Sequence, residues 1–317
     1  MAGKIVVLGT GGTIAGTSDV AGASVGYTAG QLGIGQLLAA VPQLAQAARG
    51  PLVAEQLAQV DSKDMTHALW MQLVQRCLLH LDDKAVAGIV ITHGTDTLEE
   101  TAWLLHNLLP SHKPVVLTSA MRPATALVPD GPQNLLDAVA LAADPGARGV
   151  LAVAAGVVHG AREVAKMHPL RLDAFASGDG GPLGWMDAGP VRWAHGRAPE
   201  PAAPRHGALA RQLGQRPWPR VQIVLSHAGA DGSVVDALLA AGAVDGLVAA
   251  ATGNGTLHED LELALARAAA AGVAVCVASR CPQGRMLALP PDAPWSSAPG
   301  LSPMKSRISL MLQLMER

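Results

Sequence analysis

Ile5-Val6-Val7-Leu8-Gly9-Thr10-Gly11-Gly12-Thr13-Ile14-Ala15 joins four apolar, mostly β-branched residues to a glycine-rich turn carrying two threonines. An apolar run with no polar alternation predicts a strand buried on both faces, the kind found inside parallel sheets. Working outward, similar runs recur at 87–91, 114–117 and 150–154, with helical patterns between them at 66–80 and 98–108. Short buried strands alternating with helices predict an α/β fold, parallel strands joined by helical crossovers.

The pattern breaks once. Residues 189–219 carry six prolines and several Arg and His residues with little periodicity, which predicts a linker at 191–219. Beyond it the alternation resumes, with strands at 221–225, 246–250 and 273–278, helices at 234–241 and 257–271, and a closing helix after Pro303. The expectation is two domains: a larger N-terminal one over 1–190 with a mostly parallel sheet flanked by helices, and a smaller C-terminal α/β domain over 220–317.

Composition narrows the partners. Lys and Arg number 23 against 25 Asp and Glu, with no long run of either sign, so neither nucleic acid nor a membrane surface is an expected partner and a small molecule is. No apolar stretch reaches the roughly 20 residues of a membrane helix. The apolar run 5–8 is too short for a signal-peptide core, which points to the cytoplasm. Three cysteines without CxxC spacing, Cys77, Cys276 and Cys281, indicate neither a disulfide framework nor a zinc site, and no metal is expected.

In parallel sheets ligands sit beyond the carboxyl ends of the strands. Polar clusters fall at those places: Gly9 to Ala15, then Asp61-Ser62-Lys63-Asp64, Thr92-His93-Gly94-Thr95-Asp96-Thr97, Thr118-Ser119-Ala120 and Thr252-Gly253-Asn254-Gly255. Each has a plainer reading. Glycines after a first strand often cradle a dinucleotide, although the spacing here is not GxGxxG, no GK[ST] follows, and 16–30 reads as a flexible loop. Thr97 and Glu100 match a capping box. His93 reads as a hydrogen-bonded structural histidine, and Ser226-His227 as a loop contact. There is no GxSxG elbow, and His258-Glu259 lacks the second histidine of a HExxH site. A threonine hydroxyl needs a base or a polarising network to become a nucleophile. Lysine can serve there, but Lys166 is one of five lysines after Lys4, and spacing does not choose it.

Thr10 to Ala15, paired with His93-Gly94-Thr95-Asp96-Thr97-Leu98-Glu99-Glu100-Thr101, resembles the bacterial-type L-asparaginases, including the glutaminase-asparaginases. Further matches run along nearly the whole chain: Tyr27-Thr28, Asp61 to Met65, Thr118-Ser119-Ala120-Met121-Arg122-Pro123, Asp130 to Leu135, Gly181 to Gly184 and Gly253-Asn254-Gly255. The resemblance implies hydrolysis of L-asparagine to L-aspartate and ammonia, with weaker action on L-glutamine. It implies Thr13 as the acylated nucleophile, bonded by Tyr27 from a mobile lid, and a second constellation of Thr95, Asp96 and Lys166 acting as a proton relay. Ser62 would hold the substrate α-carboxylate and Asp96 its α-ammonium, with Lys63, Ala120 and Asn254 completing the pocket. A homo-oligomer, a dimer of dimers with no cofactor, is implied as well.

Whether Thr13 or a water activated by Thr95 and Lys166 attacks is open at this level. So are two other classes, a nucleotide-cofactor enzyme and a non-catalytic amino-acid-binding protein of the same fold. Two positions depart from the family pattern. Lys63 stands where a glutamine is common, and its side chain can face the pocket or the solvent. Cys281 to Met286 offers no match to the acidic residue a neighbouring subunit often supplies.

Overall fold

A computed structural model describes residues 3–20, 22–187, 189–196, 203–290 and 292–317. The chain divides into two compact units, Met1–Arg211 and Gln212–Arg317. The strands of the first unit are β1 (Lys4–Gly11), β2 (Leu52–Val60), β3 (Val86–Thr92), β4 (Pro114–Thr118), β5 (Gly149–Ala154), β6 (Val157–Gly160), β7 (Ala165–Lys166), β8 (Phe175–Ala176), β9 (Gly184–Trp185) and β10 (Arg192–Trp193). Its helices are α1 (Ile34–Ala39), α2 (Leu44–Ala47), α3 (His67–Asp82), α4 (Leu98–Leu108), α5 (Gly131–Ala142) and α6 (Gly207–Ala210).

Eight strands form one sheet in the order β10-β9-β6-β5-β4-β3-β1-β2, and β7 and β8 form a separate two-stranded sheet. From β2 to β5 the pairing is parallel. At the other edge β6, β9 and β10 are antiparallel. Ile5, Val6, Val7 and Leu8 have no exposed surface, which is why their run shows no alternation: both faces of β1 are covered. Ile5 and Val7 share a core with Val90, Val116 and the α5 residues Leu135, Ala138 and Val139. On the opposite face, α3 packs on β2 and β3, and α4 on β5.

The strand order fixes where a ligand can enter. The chain passes from β1 to β2 on one side, then crosses back to β3 on the other, so the winding reverses between β1 and β3. Their carboxyl ends, Gly11 and Thr92, therefore flank the crevice that such a reversal leaves open.

Most predicted elements are present within one or two residues, and α4 matches the expected span. Thr66 caps α3, its Oγ1 accepting the Leu69 N–H at 3.2 Å. The stretch expected to be an irregular linker contains β10 and α6 among its described residues. Helix α5 and the antiparallel edge leave no clear pattern in the sequence. An alanine-rich helix buried on most sides has weak periodicity, and two-residue strands have none.

In the second unit, β11 (Val221–Leu225), β12 (Gly246–Ala251), β13 (Ala274–Ser279) and β14 (Ser296–Ser297) form a parallel sheet in that order. Helices α7 (Ser233–Ala240) and α8 (Glu259–Ala270) share a core with alternate β12 residues Leu247, Ala249 and Ala251. Helix α9 (Pro303–Met315) packs across β11, β12 and β13 with Ile308, Met311 and Leu312 fully buried. Among the described residues, no helix is long and apolar enough to cross a membrane. All three cysteines are free, with Cys77 and Cys276 buried and Cys281 exposed.

Candidate active site

Two glycines bring the turns after β1, β2 and β3 into contact. Gly12 adopts φ 82°, and a Cβ there would overlap the Gly94 backbone. A Cβ on Gly94 would lie 2.5 Å from Ser62 Oγ. Only residues without side chains allow this approach, so the glycines position the hydroxyls around them.

The first group of side chains follows β1. Thr13 opens a single 3-10 turn (Thr13–Ala15), is buried, and has its Oγ1 2.7 Å from the Tyr27 hydroxyl. Tyr27 reaches it because the intervening loop closes on itself: Thr17 N donates to Thr28 O at 3.0 Å, and Thr28 N to Thr17 O at 2.8 Å. The loop is also tied to the segment after β4, with Ala124 N donating to Gly16 O and Ser18 N to Thr125 Oγ1, both at 2.9 Å. The glycine turn leads only into that 3-10 turn, and α1 begins at Ile34. A dinucleotide site needs a helix N-terminus directly after the turn to bind the pyrophosphate, and none is there.

The second group follows β3. Lys166 Nζ donates to Thr95 Oγ1 at 2.8 Å and to Asp96 Oδ1 at 2.6 Å. The lysine side chain is 18% exposed and the aspartate 50%. Ser62, buried after β2, joins them by accepting the Asp96 N–H at 3.1 Å. Thr97 does not cap α4 with its side chain, contrary to the capping-box reading. Its hydroxyl donates to Ser62 O at 2.7 Å, tying the β2 and β3 turns together.

These bonds leave specific capacities unused. Ser62 Oγ accepts from Asp96 N, so its own proton is available for a carboxylate. Asp96 engages Lys166 through Oδ1, and its other oxygen suits an ammonium. Together the two groups match the two charged ends of an α-amino acid.

The remaining expected positions are placed as follows. Lys63 has a side chain 61% exposed, and its Nζ lies 2.7 Å from Asp64 and 3.3 Å from Asp61. Hydrogen bonding to Asp64, then Asp61, raises its ammonium above the ordinary lysine range. Ala120 is buried against the start of α5, near Gly131. That turn is ordered by Asp130, whose carboxylate accepts the Met121 and Arg122 N–H groups at 2.9 Å each. Asn254 follows β12 in the second unit, where its Oδ1 accepts the Leu287 N–H at 2.8 Å.

His93 is a structural residue. It is fully buried, its Nδ1 lies 2.7 Å from Gly94 O, and its Nε2 lies 3.0 Å from Thr101 Oγ1. A carbonyl can only accept, so Nδ1 carries the proton and Nε2 accepts from Thr101, whose oxygen in turn accepts Trp70 Nε1–H at 2.9 Å. Burial pushes the imidazole down to about 4, which keeps it neutral. His227 Nδ1 lies 2.9 Å from Ala228 O, and Ser226 Oγ accepts the His258 N–H at 3.1 Å, so these are loop contacts. Among the described residues no group of His, Cys, Asp and Glu is arranged to hold a metal ion.

Glu99 is not singled out by the sequence beyond its place in the stretch His93 to Thr101. In the structure it is buried and its Oε2 accepts the Lys166 N–H at 2.8 Å. The available signal was Glu99-Glu100 itself, since two adjacent acids on a helix packed over most of its surface cannot both face water.

Comparison with known proteins follows the same division of the chain. Residues 4–198 match the family model described as Asparaginase, N-terminal, and residues 220–317 match the Glutaminase/Asparaginase C-terminal domain. The chain is 38% identical to L-asparaginase 2 of Escherichia coli (strain K12), covering 98% of this chain and 88% of that protein. It is 37% identical to a glutaminase-asparaginase of Pseudomonas fluorescens biotype A, covering 98% and 86%. A crystal structure of a probable cytoplasmic L-asparaginase from Campylobacter jejuni superposes with a TM-score of 0.91 at 36% identity, covering 99% of this chain and 96% of that one. Two matched domains in order, on a sheet whose reversal point carries both threonines, make this chain a member of the asparaginase family.

Proposed function

We propose that the protein hydrolyses the side-chain amide of L-asparagine to L-aspartate and ammonia, with weaker action on L-glutamine, using Thr13 as the nucleophile. The observation that carries this reading is the pair of hydroxyls at the β1/β3 crevice, each with its own polar partner: Tyr27 on Thr13, and Lys166 with Asp96 on Thr95. Neither hydroxyl is an ordinary capping group.

In the mechanism we propose, the substrate α-carboxylate binds the Ser62 hydroxyl and the α-ammonium binds Asp96. This presents the side-chain amide to Thr13. Thr13 Oγ1 attacks the amide carbon and passes its proton to the Tyr27 oxygen, while the Tyr27 hydroxyl proton moves on toward the amide nitrogen. The tetrahedral intermediate collapses with C–N cleavage, the nitrogen taking up a proton and leaving as ammonia. Water then adds to the threonyl ester, and C–O cleavage releases aspartate and restores Thr13. Thr95 and Lys166 form the proton relay for these transfers, Asp96 holding the lysine in place. Backbone N–H groups of the glycine turns and of Thr95 are the candidate donors to the developing oxyanion. No cofactor enters.

Other parts of the reading are proposals on the same footing. The working division is 1–190, 191–219 and 220–317. The enzyme is taken to be a cytoplasmic homotetramer, a dimer of dimers, in which Asn254 serves a partner's pocket; light scattering and cell fractionation test the assembly and the compartment. Ala120 and Lys63 are assigned to substrate binding. The deciding experiment is ammonia release from L-Asn, L-Gln and D-Asn by wild type and Thr95→Val. The relay assignment predicts a fall in kcat of about a hundredfold or more for Thr95→Val on L-Asn. Near wild-type turnover in that variant rejects the assignment.

A further inference from the structure

Lys166 lies on β7, a two-residue strand that pairs with β8 in a two-stranded ribbon separate from the eight-stranded sheet. So short a ladder fixes a backbone weakly, because a two-stranded ribbon has little stability of its own. A relay lysine, by contrast, must hold its ammonium within hydrogen-bonding distance of its partners. The main chain of Lys166 is held from elsewhere: its N–H donates to Glu99 Oε2 at 2.8 Å.

Glu99 belongs to the same short segment that grips the other end of the lysine. Thr95 and Asp96 bind the ammonium, and Glu99, three residues after Asp96, binds the backbone nitrogen. The start of α4 thus holds Lys166 at both ends. Glu99 is buried, unlike a first-turn acid that serves only the helix. Its place in the first turn of α4 lets the helix dipole offset part of the cost of burying a carboxylate.

We infer that Glu99 is a positioning residue for the reaction, anchoring the Lys166 backbone so that the lysine reaches Thr95 and Asp96 together. The inference rests on the relay assigned above. Glu99 touches no reacting atom, and it acts through Lys166. Its removal therefore lowers kcat without weakening the groups that bind the two ends of the amino acid.

The test compares wild type, Glu99→Gln and Glu99→Leu in steady-state hydrolysis of L-asparagine, with amide hydrogen exchange of Lys166 measured in the wild type. Gln keeps an acceptor oxygen and Leu removes it. Glu99→Leu is expected to lose about a hundredfold in kcat with KM changed by less than about threefold, and Glu99→Gln to retain at least about a tenth of the wild-type kcat. The Lys166 amide is expected to be protected from exchange. A kcat for Glu99→Leu within threefold of wild type, or equal losses in both variants, overturns the inference. If Glu99→Leu does not fold, the exchange measurement still decides, because an unprotected Lys166 amide in the wild type overturns it. Wild-type protein that releases no ammonia instead refutes the functional reading, and the outcomes are thereby distinguished.

Discussion

Lys63 faces solvent, and its environment sets what its replacement should do. Its ammonium is bound by the carboxylates of Asp64 and Asp61, and most of its side chain is in water. Replacing it by glutamine is therefore expected to change the KM for L-asparagine by less than about twofold, since exposed pairs of this kind contribute little. Steady-state kinetics of Lys63→Gln check this. At His93 the expectation concerns pH. Its folded value near 4 lies below the unfolded 6.5, so its contribution to stability is complete above pH 6.5 and is lost as pH falls toward 4. The difference corresponds to on the order of 3 kcal/mol. Denaturant midpoints at pH 7 and 4.5 should differ accordingly, and the pH dependence should shrink in His93→Gln. Residue roles are only partly legible from sequence: the strand-end position of His93 is enough to mark it as structural, whereas nothing but family resemblance distinguishes Lys166 from the other lysines.

Among the elements, the glycine turns make the most exacting demand. Gly94→Ala places a methyl against Ser62 Oγ and separates the β2 and β3 turns. We expect it to raise KM and lower kcat together, at least about a hundredfold in kcat/KM, with circular dichroism unchanged. Helix α5 carries a second pH-dependent group. Asp137 is buried, and burial, opposed by the hydrogen bond from Gln133, pushes its carboxyl up to about 6. Because the folded value exceeds the unfolded 3.8, its contribution is complete below pH 3.8 and is lost as pH rises through 6. Asp137→Asn should therefore raise Tm at pH 8, by on the order of 3 kcal/mol in stability, and leave it nearly unchanged at pH 4. The central strands were legible because residues buried on both faces form unbroken apolar runs. The antiparallel edge and β7 were not, since two residues cannot express a period and are placed by their partners.

On the scale of the whole molecule, the order β2-β1-β3 concentrates the chemistry, bringing together hydroxyls more than eighty residues apart in sequence, as in the Thr10 Oγ1 to Thr92 O bond of 2.8 Å. Strand-end placement alone implies that convergence, but the reversal point and the glycine contacts that set its spacing emerge only from the fold. The proposed chemistry turns on Thr13 as the nucleophile. Its most direct test is ammonia release from L-asparagine by wild type and by Thr13→Ala, with both shown to be folded by their thermal midpoints. The wild type is expected to turn over, and Thr13→Ala to lose roughly a thousandfold or more in kcat. A folded Thr13→Ala protein that turns over L-asparagine within tenfold of the wild type would contradict it.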